Sequence, residues 1–249
     1  MVSYNRYGNP NGPLLLFLHG GGVGGWMWDR QVRYFGDYDC VVPELVTGDE
    51  RFSIDSCAKK WLRFIEAQAQ GRRVIVAGFS LGAQVLVAML SSQTGSQRIH
   101  DAMINSALVG GIPHAGATIR SMKLAMPLVK RRWFAKIQAK SMYIGDDDFE
   151  RYYRDTVQMS WKTFAEVMTE NMSFTIPDGY SKTETNVLVT VGAREKGVMK
   201  RSMDELVASH PNSVGIVIPD VGHGAPLAKP ESFNRLLEAW IRGEPLPAR

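Results

Sequence analysis

The sequence predicts an α/β fold: a mainly parallel sheet with helices on both faces, interrupted by a helical insertion. Three observations carry that expectation. Short apolar runs, "LLLFL" at 14–18, "VIVA" at 74–77 and "NVLVTVG" at 186–192, read as strands, and the unbroken β-branched "VIVA" reads as one buried on both faces. Apolar residues at helical spacing lie between such runs, so strand and helix alternate. From about Ile112 to Tyr180 the alternation stops, giving way to a helical pattern rich in Met and aromatic residues, and then it resumes.

In chain order, an extended segment near Tyr4–Tyr7 precedes the strand Leu14–Leu18, a glycine-rich loop, and a helix from Trp28 to Phe35. A strand at Asp39–Val42 is followed by a helix from about Ile54 to Ala69. The strand at 73–77 leads into an amphipathic helix after Ser80, and another strand lies around Ala102–Asn105. Beyond the insertion come the strand at 186–192, a helix near Met203–Ala208, the strand "SVGIVI" at 213–218 and a last helix from Glu231 to Ile241. The expected organisation is one α/β core domain made of residues 1–111 and 181–249, with 112–180 inserted.

Composition excludes several classes. A chain of 249 residues suits one large domain with an insertion. A net charge of +4 and a pI near 9.1 are too weakly basic to argue for nucleic acid, and no nucleic-acid motif is present. The start, "MVSYNRYGNPNGPLLLFLHGG", has no basic region leading into a long apolar core, and Leu14–Leu18 is far too short to span a bilayer. A cytoplasmic protein without membrane insertion is expected. Cys40 and Cys57 have no metal-ligand spacing around them and are expected to be reduced and buried. No metal or organic cofactor is implied, and the oligomeric state is left open.

The chemistry centres on "GFSLG" at 78–82. Ser80 falls where a buried strand turns into a helix, and on so sharp a turn the residues two before and two after it must be small. Gly78 and Gly82 meet that demand. The pattern alone arises by chance in roughly one chain in ten of this length; its placement between strand and helix is what singles it out. The serine Oγ then stands above a helix N-terminus, where negative charge is favoured.

A serine hydroxyl needs a base, an acid to orient that base, and donors for an oxyanion. Loops after parallel strands gather at one sheet edge. His223, in "PDVGHGAPLAKPESF" after the strand ending at Ile218, is therefore the natural base. His100 and His210 precede their strands and point away; His19 leads into the glycine loop and is expected to be structural; His114 opens the insertion. Glu195 in "VLVTVGAREKG" ends a strand at the same edge and can accept the Nδ1 proton of His223. Asp220 is a weaker candidate, and Asp146, Asp147 and Asp148 look like a helix start. Backbone N–H groups of Leu81 and of Gly21, with Gly22 as the near alternative, supply the oxyanion donors.

"HGGGVGGWMW", "GFSLG", "VGARE" and "VGHGAP", in that order, resemble the α/β-hydrolase superfamily. That resemblance implies an α/β-hydrolase fold with Ser80, Glu195 and His223 as a triad, Gly21 and Leu81 as an oxyanion hole, and residues 112–180 as a helical cap. Members of that family usually carry Asp where Glu195 stands. The segment "PELVTGDERFS" replaces the common Pro-Asp and Gly-x-Gly pattern after the strand at 39–42, so it assigns no subfamily.

A cap over the sheet edge must wall a pocket, and Trp133, Trp161 and Phe164 are the expected substrate-contacting residues, favouring an apolar acyl or alcohol group. The basic run Lys130, Arg131, Arg132, Lys136 and Lys140 is expected to be a solvated helix face. The function expected is a serine hydrolase, a carboxylesterase acting on small to medium apolar esters through an acyl-enzyme. A thioester, lactone, peptide or carbon–carbon bond could replace the ester, and a slow-turnover ligand receptor of the same fold is the alternative from another class.

Overall fold

In the computed structural model, which describes residues 3–47 and 51–246, seven strands form one sheet in the order β1-β3-β2-β4-β5-β6-β7. They are β1 (Tyr4–Gly8), β2 (Leu14–Leu18), β3 (Asp39–Pro43), β4 (Val74–Phe79), β5 (Asp101–Asn105), β6 (Asn186–Gly192) and β7 (Ser213–Ile218). Only β1 runs antiparallel, along β3 at the edge; the other pairings are parallel. Residues 48–50, part of the segment that replaces the family's usual loop, lie outside the described residues.

Strands β2, β3, β4 and β5 are buried at every position, which is why β2 and β4 are continuous apolar runs rather than alternating ones; β3 and β5 carry apolar residues between buried polar ends at Asp39, Asp101 and Asn105. Helices cover both faces. Leu14, Leu16, Leu18, Val74 and Val76 face one layer, with α2 (Ile54–Gln68) and α3 (Leu81–Leu90). Leu15, Phe17, Ile75, Ala77 and Met103 face the other, which holds α1 (Asp29–Tyr34) and a last helix at 230–242. The expected amphipathic pattern of α3 is not what is seen: every residue but Ala88 is buried, because α2 packs over the side that would otherwise meet solvent. A short polar helix, α4 (Gln93–Arg98), was not foreseen; Ser92 caps it by accepting from the Gly95 N–H at 3.0 Å.

Between β5 and β6 the chain forms only helices: α5 (Ala115–Val129), α6 (Arg132–Ser141), α7 (Asp146–Gln158) and α8 (Trp161–Ser173). The three aspartates at 146–148 occupy the first turn of α7, where the helix dipole favours them. Helix α8 is tied to the sheet layer. Glu166 and Glu170 accept the backbone N–H groups of Phe52 and Ile54 at the start of α2, at 3.2 and 2.8 Å. The fully buried Gln84 of α3 exchanges two hydrogen bonds with Asn171, donating to its carbonyl at 2.9 Å and accepting from its side chain at 2.8 Å. The chain closes with α9 (Gly197–Ala208), α10 (Ala225–Ala228) and α11 (Pro230–Arg242). Among the described residues, no helix is long and apolar enough to cross a membrane.

Candidate active site

The register of the sheet decides which loops meet. Phe79 pairs with Asn105 and Asn105 with Thr190, while Gly192 pairs with Ile218, so β4, β5, β6 and β7 end at one edge. Ser80, Ser106, Glu195 and His223 follow those four ends.

Ser80 is the single residue between β4 and α3, with φ +52° and ψ −112°, a conformation rarely adopted by a residue with a side chain. Its N–H bonds the Asn105 carbonyl at 2.9 Å and its carbonyl accepts from the Ala83 and Gln84 N–H groups, so the surroundings hold the strain in place. The two flanking glycines are sterically required. A Cβ on Gly78 would stand 2.5 Å from the Gly82 carbonyl oxygen, and one on Gly82 would collide with the carbonyls of Leu18 and His19. Gly82→Ala is accordingly expected to cost about 2 to 3 kcal/mol, because backbone rather than a movable side chain is in the way. Denaturant unfolding measures this; a loss below about 0.5 kcal/mol would mean that the turn relaxes freely.

His223 bridges the serine and the acid. Its Nε2 is 3.0 Å from Ser80 Oγ and its Nδ1 is 2.8 Å from Glu195 Oε2. The Glu195 side chain is 1% exposed, whereas that of His223 is 39% exposed. Burial on its own would raise the Glu195 pKa, but the hydrogen bond and charge of His223, together with donors from Ser106 and Gly192, hold it below the usual carboxylate range. An ionised carboxylate only accepts, so Nδ1 carries the proton and Nε2 of a neutral ring faces the serine hydroxyl as acceptor. Phe79 packs against the imidazole, ring centroids 4.9 Å apart.

Two supporting residues had no motif to mark them. Ser106, itself at φ +57°, donates to Glu195 Oε1 at 2.6 Å beside the Gly192 N–H at 2.9 Å. Tyr143, between α6 and α7, accepts the Gly222 N–H at 2.9 Å and so pins the loop carrying His223. The only signal for Ser106 is that it directly follows a strand ending at the same edge. Tyr143 offers none.

A cavity of about 150 Å³ contains Ser80, Leu81, Gly21 and Gly22, and is walled on the other side by Met159 and by Phe164, Val167, Met168 and Asn171 of α8. Phe164 is thus beside the serine. Trp161 does not line the cavity; its ring is 5.7 Å from that of Phe164. Trp133 does not line this cavity: it is 59% exposed on α6 and packs on Phe134. Amino-acid type suggested a pocket aromatic, but the face it occupies on α6 turns outward. A second cavity of about 490 Å³ shares Gly22 and Met159 with the first and is more polar, with Glu44, Arg154, Asp155, Gln158 and Thr163 on its walls.

The remaining histidines are accounted for. Buried His19 accepts the Leu45 N–H on Nε2 at 3.0 Å and faces the Gly20 carbonyl with Nδ1 at 2.8 Å, and burial lowers its pKa. His100 accepts the Val74 N–H, and His210 bonds the Thr183 carbonyl, both at the opposite sheet edge. His114 is exposed at the start of α5. Asp220 pairs with Arg194 in solvent, and the His223 Nδ1 is taken by Glu195. Cys40 and Cys57 are free and buried, which pushes both thiols up to about 12. Among the described residues, no three His, Cys, Asp or Glu side chains gather so as to hold a metal ion.

A family model described as the alpha/beta hydrolase family matches residues 15–236. No curated protein matches the sequence. Among solved structures, the chain is similar to a bromoperoxidase from Bacillus anthracis, with 18% identity, a TM-score of 0.81, and 97% of this chain and 95% of that one covered. It is similar to a thermophilic esterase from Thermogutta terrifontis, with 18% identity, a TM-score of 0.75 and coverage of 97% and 93%. An enol-lactonase from Burkholderia xenovorans is a further neighbour, at 14% identity, a TM-score of 0.76 and coverage of 97% and 96%.

Proposed function

From the premise that the chain belongs to the alpha/beta hydrolase family, we propose that it is a serine hydrolase that cleaves small to medium carboxylic esters through an acyl-enzyme. One observation carries this reading: the unbroken relay from Ser80 Oγ through His223 to a buried, ionised Glu195. In the proposed reaction Ser80 Oγ attacks the ester carbonyl as its proton passes to His223 Nε2. The N–H groups of Leu81 and Gly21 hold the resulting oxyanion. His223 returns the proton to the departing alkoxide as the carbon–oxygen bond breaks, leaving an acyl-serine. Water, deprotonated by His223, then attacks the acyl carbon and releases the acid and Ser80. Glu195 stays ionised and stabilises the imidazolium.

Residues 112–180 act in this reading as a cap. Its α8 closes the small cavity with Phe164, Val167 and Met168, which favours a short apolar substituent beside the serine. Phe164→Ala is expected to raise kcat/KM for longer acyl chains relative to acetyl by about 10- to 100-fold, whereas Trp133→Ala leaves the ratio unchanged. A ratio within twofold of the parent in Phe164→Ala would remove α8 from the acyl pocket. The reaction class is tested by labelling Ser80 with a fluorophosphonate and measuring steady-state turnover on p-nitrophenyl esters, thioesters and lactones. Turnover above about 1 per second on an ester supports the proposal. Labelling followed by turnover below about one per minute on every substrate would point instead to a ligand receptor.

A further inference from the structure

The three most exposed large apolar side chains among the described residues all lie on α5 and α6: Leu124 at 87%, Ile137 at 60% and Trp133 at 59%, with the next, Tyr34, at 44%. They are not scattered. Leu124 and Leu128 are one turn apart on α5, as are Trp133 and Ile137 on α6, so each helix carries an apolar ridge on its outer face. The opposite side of α5 is occupied by buried Ile119 and half-buried Met122 and Met126. Both helices therefore have an inner apolar face, used for packing, and an outer one that is exposed among the described residues.

Charge says what suits that outer face. Between Ile112 and Gly145 there is no Asp or Glu, while Arg120 and Lys123 lie on α5, Lys130 and Arg131 at the junction, and Arg132, Lys136 and Lys140 on α6. Of these, Arg132 is ion-paired with Glu150 of α7, and Arg132 and Lys136 lie against the Phe149 ring. Arg120, Lys123, Arg131 and Lys140 are exposed. The whole chain carries only +4, so this positive charge is concentrated rather than spread. A solvated helix face would pair such cations with acidic residues one turn away and would not expose Leu, Leu and Ile among them. Aliphatic ridges rimmed by Lys and Arg fit a surface that is anionic at its boundary and apolar just beneath. Single-stranded nucleic acid would call for several aromatic platforms, whereas three of these four ridge residues, Leu124, Leu128 and Ile137, are aliphatic and only Trp133 is aromatic.

We propose that the outer face of α5 and α6 docks the protein peripherally on an anionic phospholipid surface, with Leu124, Leu128, Trp133 and Ile137 entering the headgroup boundary and the surrounding Lys and Arg side chains bound to lipid phosphates. The inference does not depend on the reaction proposed for Ser80.

Co-sedimentation with vesicles of phosphatidylcholine alone and with one-third phosphatidylglycerol tests it. Binding is expected to the anionic vesicles only and to weaken as salt rises through the range where the screening length shortens. Leu124→Ser with Ile137→Ser, and separately Lys123→Glu with Lys140→Glu, are expected to lower partitioning at least tenfold with melting temperature within about 2 °C of the parent. Arg63→Glu with Arg201→Glu, exposed cations elsewhere, removes the same charge and is expected to keep binding within threefold. Equal loss in that control would reduce the effect to net charge and overturn the proposal. So would no binding to either vesicle, tighter binding to a single-stranded oligonucleotide than to vesicles, or a concentration-dependent dimer that Leu124→Ser with Ile137→Ser abolishes.

Discussion

Ser80→Ala and His223→Ala are each expected to lower kcat on a hydrolysed ester by about a million-fold, and the double variant is expected to lose no more than either single one. The reason is the shared proton. In the proposed reaction, with Nε2 of His223 only 3.0 Å from Ser80 Oγ, the hydroxyl becomes a nucleophile as its proton moves to the ring, and the ring has no other proton to move in that step. Removing either partner ends the same event. On the same proposal, what survives is the contribution expected of the Gly21 and Leu81 N–H groups and of substrate positioning in the cavity, which both single variants retain. The measurement is kcat for the parent, both single variants and the double variant, with melting temperatures recorded alongside. Losses that multiply in the double variant would mean that serine and histidine act in separate steps, and a tenfold loss in either single variant would exclude the acyl-enzyme route.

How far this site could be read from sequence depended on whether a residue is constrained locally or through space. Ser80 and its glycines are local: the strand, the turn and the helix are contiguous, and the collisions that exclude a Cβ at 78 and 82 follow from that turn. The strands at 14–18, 186–192 and 213–218 occupy the expected residues; the first is buried at every position and the second at all but Asn186, whereas in the third, at the sheet edge, only Ile216 and Ile218 are buried. β4 extends two residues beyond the expected end, through Gly78 and Phe79, up to the serine itself. Glu195 was harder, since Arg194 and Lys196 flank it like an exposed loop charge. A tight turn, with Glu195 N–H to the Gly192 carbonyl at 3.0 Å and Gly192 N–H to its side chain at 2.9 Å, tucks the carboxylate inward and leaves the neighbouring Arg194 in solvent. Ser106 and Tyr143 reach the site only through tertiary contacts, 89 and 79 residues from their partners. For Trp133, residue type suggests a pocket wall, whereas the ring stands exposed on α6. In an insertion whose helices have apolar residues on both faces, periodicity alone does not say which face is inside.

Glu195→Gln is expected to keep the fold and lower kcat by about ten-thousand-fold. The substituted amide is nearly the same shape, but it carries two hydrogens on one atom. Oε1 of Glu195 already accepts from Ser106 Oγ and the Gly192 N–H, so the amide oxygen takes that position and the NH₂ group faces His223 Nδ1. Nδ1 must then accept, the ring proton moves to Nε2, and Ser80 Oγ meets a donor where it needs a base. The same substitution has a signature in stability. Because the Glu195 carboxyl is held below its usual range, the folded state binds this proton less readily than the unfolded chain. Its stabilising contribution is complete above about pH 4.3, the ordinary value for Glu, and disappears as pH falls through the lower folded value. Glutamine does not titrate, so the plot of melting temperature against pH should be shallower for Glu195→Gln than for the parent below about pH 4.3. Ser106→Ala, which removes one of the donors to the carboxylate, should shift the parent's acid limb toward higher pH and cost far less in kcat. Activity of Glu195→Gln within twofold of the parent would remove Glu195 from the relay, whatever its distance from His223.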